Sequence, residues 1–197
     1  MGDDKTGGPP SRRDRGITAL IEGFFGFVWF GWGQANASAG LSVGLAVAGV
    51  VALLVAVAGG VQAFRSPAST SVLHDRQARR RYGVAVGVEF SLAGVGAAVL
   101  GVAGQGDFIP VWVCAVVGVH FLPLASLLED RLLVALGVSV TTVALVALAA
   151  GLATDIPPST VTGIGVGALL TVFGLAALAG VHAEGTSQAS SPRQRDV

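Results

Sequence analysis

"VALLVAVAGG", residues 51–60, lies inside a stretch from 39 to 63 that contains no charged residue. Its apolar residues do not alternate with polar ones, as the roughly ten-residue strands of a membrane barrel would require. Backbone polar groups in lipid must bond within their own segment, and a helix does this. About 20 predominantly apolar residues cross a bilayer as a helix. Comparable runs cover about 17–34, 83–104, 108–128, 132–152 and 160–181. The expected fold is all-α, an integral membrane bundle of six transmembrane helices over 16–182. Polar tails at 1–15 and 183–197 are expected to be cytoplasmic and disordered.

The composition agrees. Of 197 residues, 52% are hydrophobic and 12% charged, and the mean hydropathy is +0.72. Soluble domains carry about 25% charged residues. The six spans leave no room for a second, soluble domain.

Formal net charge is zero, but the basic residues are segregated. Lys5, Arg12, Arg13 and Arg15 precede the first run, and Arg65, Arg76, Arg79, Arg80 and Arg81 fall between the second and third. Arg131 separates the fourth and fifth, and Arg193 and Arg195 lie in the tail. The loops near 35–38, 105–107 and 153–159 have no Lys or Arg. Basic residues favour the cytoplasmic side, so both termini are expected to be cytoplasmic and the protein to lie in the cell (plasma) membrane. The basic loop 65–81 suits anionic headgroups, and nothing in it calls for nucleic acid. The glycine-, alanine- and valine-rich composition with one lysine suggests a GC-rich bacterial genome.

A single cysteine, Cys114, excludes an internal disulfide, and no zinc-type Cys or His spacing occurs. "SRRDRG", followed by an apolar run and "ANAS", imitates a twin-arginine signal. Glu22 interrupts that apolar run and further spans follow, so the segment is expected to stay as a helix.

"RRDRGITALIEGFF" (12–25) and "RRRYGVAVGVEFSL" (79–92) align without gaps, matching Glu22 to Glu89. This suggests duplicated helical hairpins. Gly40/Gly44, Gly83/Gly87 and Gly163/Gly167 have the G-x-x-x-G spacing of close helix contacts, mainly within the bundle and otherwise between copies. Trp29, Trp32 and Trp112 are expected in an outer aromatic belt and Tyr82 in the inner one.

Three ionisable residues fall within the apolar runs: Glu22, Glu89 and His120. At 1.5 Å per residue they lie roughly 10–13 Å from the nearest charged flanks, Arg15, Arg81 and Glu129. A charge in the bilayer costs on the order of 2.5–3.5 kcal/mol, so such groups face the bundle interior and pair, or become neutral. Three readings stand open: a structural Glu–His–Glu clasp, a functional polar site, or a metal bound by two carboxylates and an imidazole. No cofactor is called for. Pro123 leaves the carbonyl of Val119 without its helical donor, and a kink beside His120 is expected.

Phe25, Gly26, Trp29, Phe30 and Gly33 share the helical face of Glu22, whereas Leu92, Ala93, Gly96 and Ala97 share that of Glu89. An aromatic wall opposite small residues would leave a lined volume above a layer of acids. Aromatic faces stabilise cations, and a neutral carboxyl in an apolar pocket is a candidate general acid. The pattern suits proton-initiated chemistry on a lipophilic alkene. Glu22 or Glu89 would be the donor, with His120 as its partner or terminating base. Phe25, Trp29, Phe30 and Phe121 would line the substrate. A lipid-facing aromatic helix gives the same pattern.

"VGVHFLPLASLLEDRLL" with the upstream "GVEF" resembles a group of small actinobacterial membrane proteins over about residues 79–150, through the core G-x-H-F-x-P-L. That resemblance implies no activity. In size, helical topology and membrane-embedded acids the chain is also similar to small membrane-bound terpene cyclases of secondary metabolism, which implies an isoprenoid substrate. The rival readings are a small-solute or proton-coupled transporter and a non-catalytic membrane subunit. The expected outer half offers only scattered Ser, Thr and Asp107, which favours a one-sided site over a through-path. Phosphate-cradling loops, Ser-His-Asp sets and Asp-rich diphosphate motifs are absent, which disfavours a diphosphate-ionising mechanism.

Overall fold

The computed structural model describes residues 11–67, 76–128 and 131–180. Six helices follow one another: α1 (Arg12–Gly33), α2 (Ala39–Arg65), α3 (Arg76–Val102), α4 (Ile109–Leu128), α5 (Arg131–Ala153) and α6 (Pro158–Ala179). A 3₁₀ turn, Gly106–Phe108, leads into α4. Residues 1–10 of the expected N-terminal tail, the whole expected C-terminal tail and the middle of the basic loop lie outside the described residues.

Five helices are long and apolar enough to cross a membrane, which is compatible with a multi-pass membrane protein. On α3 the described apolar stretch is Val86–Val102, preceded in the sequence by Arg76, Arg79, Arg80 and Arg81.

Residues 12–15, assigned on composition to a disordered tail, form the first turn of α1. A capping box sets that start. Ser11 Oγ accepts from the Asp14 N–H at 3.1 Å, and the Asp14 carboxylate accepts from the Ser11 N–H at 3.3 Å. At the far end of the chain, Pro158 opens α6 at a position where its missing N–H costs nothing. Gly180 closes the helix with φ +73°, and the Arg15 guanidinium rests against that cap. A cation is favoured at a helix C-terminus.

The helices pack in the lateral order α2–α1–α6–α5–α4–α3, with α2 also touching α6. Among the described residues, the helix on which α3 packs extensively is α4. Glycine decides the tightest crossings. On α1, Gly16 and Gly23 meet α2 backbone to backbone, and a Cβ on Gly23 would lie 2.5 Å from the Ala56 nitrogen and 2.7 Å from the Ala52 oxygen. The antiparallel seam with α6 pairs Gly33 with Gly163, Phe30 with Gly167, Gly26 with Thr171 and Glu22 with Gly174. Among the described residues, Gly163/Gly167 is the one of the three G-x-x-x-G pairs that packs within the bundle. Gly40, Gly44, Gly83 and Gly87 have nothing within 4 Å of where a Cβ would stand.

The aromatic-belt expectation fails at Trp29. It is 4% exposed and belongs to a core with Cys114, Leu136, Val140, Val166 and Leu170. Trp32 packs on the margin of that cluster, its ring centroid 5.3 Å from that of Trp29. Trp29 is drawn inward because Gly163 and Val166 lie opposite it on α6. The side chain of Tyr82 lies outside the described residues.

The two suggested hairpins also pack unlike each other. The α1–α2 pair closes on glycine, whereas α3–α4 closes on Trp112 and a polar pair. All three short connections gather at one end, where Asn36, Asp107, Phe108, Thr154 and Asp155 line a common cleft. Arg12 and Arg65 line a cleft at the opposite end.

Candidate functional site

Glu89 follows the arginine-rich start of α3, and His120 lies midway along α4. Antiparallel packing of the two helices brings both to one level. Nε2 of His120 stands 3.4 Å from Oε2 of Glu89, with both side chains largely buried. A carboxylate with an imidazolium and a carboxylic acid with an imidazole carry the same net charge, zero. The pair can therefore hold one transferable proton at either atom without placing net charge in the bilayer.

The pair lies at the edge of the bundle. Val88, Phe90 and Val119, next to it in sequence, are all more than half exposed. In a bilayer, those neighbours face acyl chains. Phe121 packs inward against the main core, its ring centroid 6.3 Å from that of His120. α4 continues through Pro123 to Leu128 as one helix.

About 12 Å farther along α4, Trp112 closes the same seam. Its indole N–H donates to the carbonyl of Leu92 at 3.1 Å, and its ring occupies the space where a Cβ on Gly96 would stand. Trp112 was expected in the outer belt. The small residues Ala93, Gly96 and Ala97, one helical face of α3, are the signal that could have revealed its seat.

Glu22 does not join this pair. It is 8% exposed and sits on the α1 face turned toward α6 and α2, its Cβ 3.5 Å from where a Gly174 Cβ would stand. The three-helix convergence of Glu22, Glu89 and His120 is therefore not formed, because α1 packs on α2 and α6 while α3 packs on α4. The two-carboxylate, one-imidazole metal set is likewise not assembled among the described residues.

The aromatic wall divides as well. Trp29 enters the core shared with α4, α5 and α6, whereas Phe30 enters a separate cluster with Leu45 and Ala52. Phe25 is 41% exposed and points outward. The small residues opposite the Glu22 face belong to α6, not to α3, and they fill the seam instead of leaving a lined volume. Gly163, Gly167 and Gly174 recur on one face of α6 at the spacing of the α1 stripe. That match was available in the sequence.

No protein-family model, no curated protein and no solved structure matches the chain.

Proposed function

We propose that this protein is a six-span enzyme of the cell membrane, with both termini cytoplasmic, that transfers a proton to a lipophilic substrate at the Glu89–His120 pair. The observation carrying this reading is the 3.4 Å approach of two titratable groups from different apolar helices. A net-neutral pair tolerates the bilayer and still offers one proton.

Its position at the lipid-facing edge suits a substrate that arrives through the membrane. The substrate class that fits is a lipophilic alkene, isoprenoid in type, protonated by Glu89, whose carboxylate is left as counter-ion to the carbocation. His120 takes up the proton that the cation loses on termination and so restores the pair's single proton. This is the chemistry of terpene-cyclase-like enzymes. Phe121 adjoins His120; Trp29 and Phe30 are committed to packing and are not substrate contacts in this account.

The Trp112 seal favours a one-sided site over a transport path, because an indole and apolar side chains follow the pair along the seam. The separation of Arg12 and Arg65 from the three short loops supports the topology. α3 counts as the sixth span because it packs antiparallel on α4, from Gly96 beside Trp112 to Glu89 beside His120.

The test is Glu89→Gln, which keeps size and polarity but has no acidic proton. Turnover of prenylated alkenes by membranes containing the variant should fall about 10²–10⁴-fold, with detergent melting little changed. Full turnover by Glu89→Gln would exclude this carboxyl as the acid.

A further inference from the structure

At the basic end of the bundle, α1 and α2 leave a cleft of about 490 Å³ lined by Arg12, Ala58, Val61, Gln62, Arg65 and Ser66. Two hydrogen bonds fix its polar rim. Gln62 Nε2 donates to the carbonyl of Arg12 at 3.0 Å, tying the two helix ends together, and Ser66 Oγ donates to the carbonyl of Gln62 at 2.7 Å. Among the described residues, no carboxylate lines the cleft.

The lining changes character with depth. Arg65 is one helical turn from Val61 and two from Ala58, so cationic groups at the rim give way to an apolar wall roughly 6–10 Å deeper. That wall continues into an exposed apolar surface: Val61 is 45% exposed, Leu20 40% and Val57 55%. Guanidinium groups bind phosphate oxygens through paired N–H donors. A free anion gains nothing from the apolar wall. A lipid uses both halves, its phosphate on the arginines and its acyl chains along Val61 and Val57.

We propose that this cleft is a binding site for the headgroup of an anionic phospholipid. It is separate from the Glu89–His120 pair, which lies on other helices, and does not depend on that pair's role.

The full-length protein, delipidated in detergent, can be titrated with dioleoylphosphatidylglycerol and with dioleoylphosphatidylcholine under native mass spectrometry. The parent should retain the anionic lipid preferentially. Arg12→Gln and Arg65→Gln should each lower that retention about fivefold and leave phosphatidylcholine unchanged. Arg80→Gln, an exposed arginine on α3, should leave the preference intact. Unchanged retention in the double variant would overturn the site, as would an equal loss in Arg80→Gln. Displacement of the lipid by millimolar inorganic phosphate would show a free-anion site and also overturn the lipid assignment. If the double variant does not fold, Arg65→Gln alone, at an exposed helix end, carries the same comparison.

Discussion

Trp112 on α4 donates its indole N–H to the carbonyl of Leu92 on α3, and its ring takes the place of a side chain at Gly96. Among the described residues, this contact and the Glu89–His120 pair are polar contacts that tie α3 to α4. Gly96→Val should displace the indole and destabilise the protein by about 1–3 kcal/mol. Trp112→Phe, which removes the donor but keeps much of the ring, should cost roughly 0.5–1.5 kcal/mol. Thermal melting in detergent orders the two. A melt of Gly96→Val at the parental temperature would contradict this seating.

Glycines of equal appearance in the sequence should respond oppositely. Gly163→Ala drives a methyl into the Gly33 backbone, and Gly23→Ala drives one into α2. Each should lower stability by about 1–3 kcal/mol. Gly44→Ala meets open space, and the better helix former should leave stability unchanged or raise it by up to about 1 kcal/mol. Melting of the three single variants checks this contrast.

The proposed topology makes a fixed set of outcomes. Reporter fusions at residues 36, 106 and 156 should read outside, and fusions at 72 and 130 inside. Residues 72 and 106 bracket α3, so opposite signals there would establish it as a span. Identical signals would reduce the count to five and place Glu89 outside a membrane-crossing helix.

Glu22 and Glu89 occupy matching places in the sequence repeat but different surroundings. Glu22→Gln alters a group packed between α1, α2 and α6, so its effect should appear in melting and leave turnover within about threefold of the parent. A loss of turnover as large as that of Glu89→Gln, with normal melting, would assign the acid to the wrong copy.

The helical class was legible because long uncharged runs such as 39–63 admit no other backbone arrangement in lipid. The depth match of Glu89 and His120 was legible for a related reason: charged flanks fix the height of a residue along a spanning helix. Lateral order was not. Hydropathy reports depth and says little about which neighbour a helix chooses, so Glu22 was grouped with Glu89 and His120 by height alone. The neighbour of α1 is selected by shape, through Gly163, Gly167 and Gly174 opposite Gly33, Phe30 and Glu22. The G-x-x-x-G spacing could not rank its three occurrences, because an open stripe and a packed one read alike in one dimension. The capping box at Ser11 and Asp14 was in plain view, yet composition masked it behind a polar tail.

Proton donation by Glu89 is tested most directly by turnover of a prenylated alkene in membranes suspended in D₂O. The parent protein should deliver one non-exchangeable deuterium into each product molecule, and Glu89→Gln should yield neither product nor label above the background of membranes lacking the protein. Deuterated product formed by Glu89→Gln at the parental rate would contradict the account.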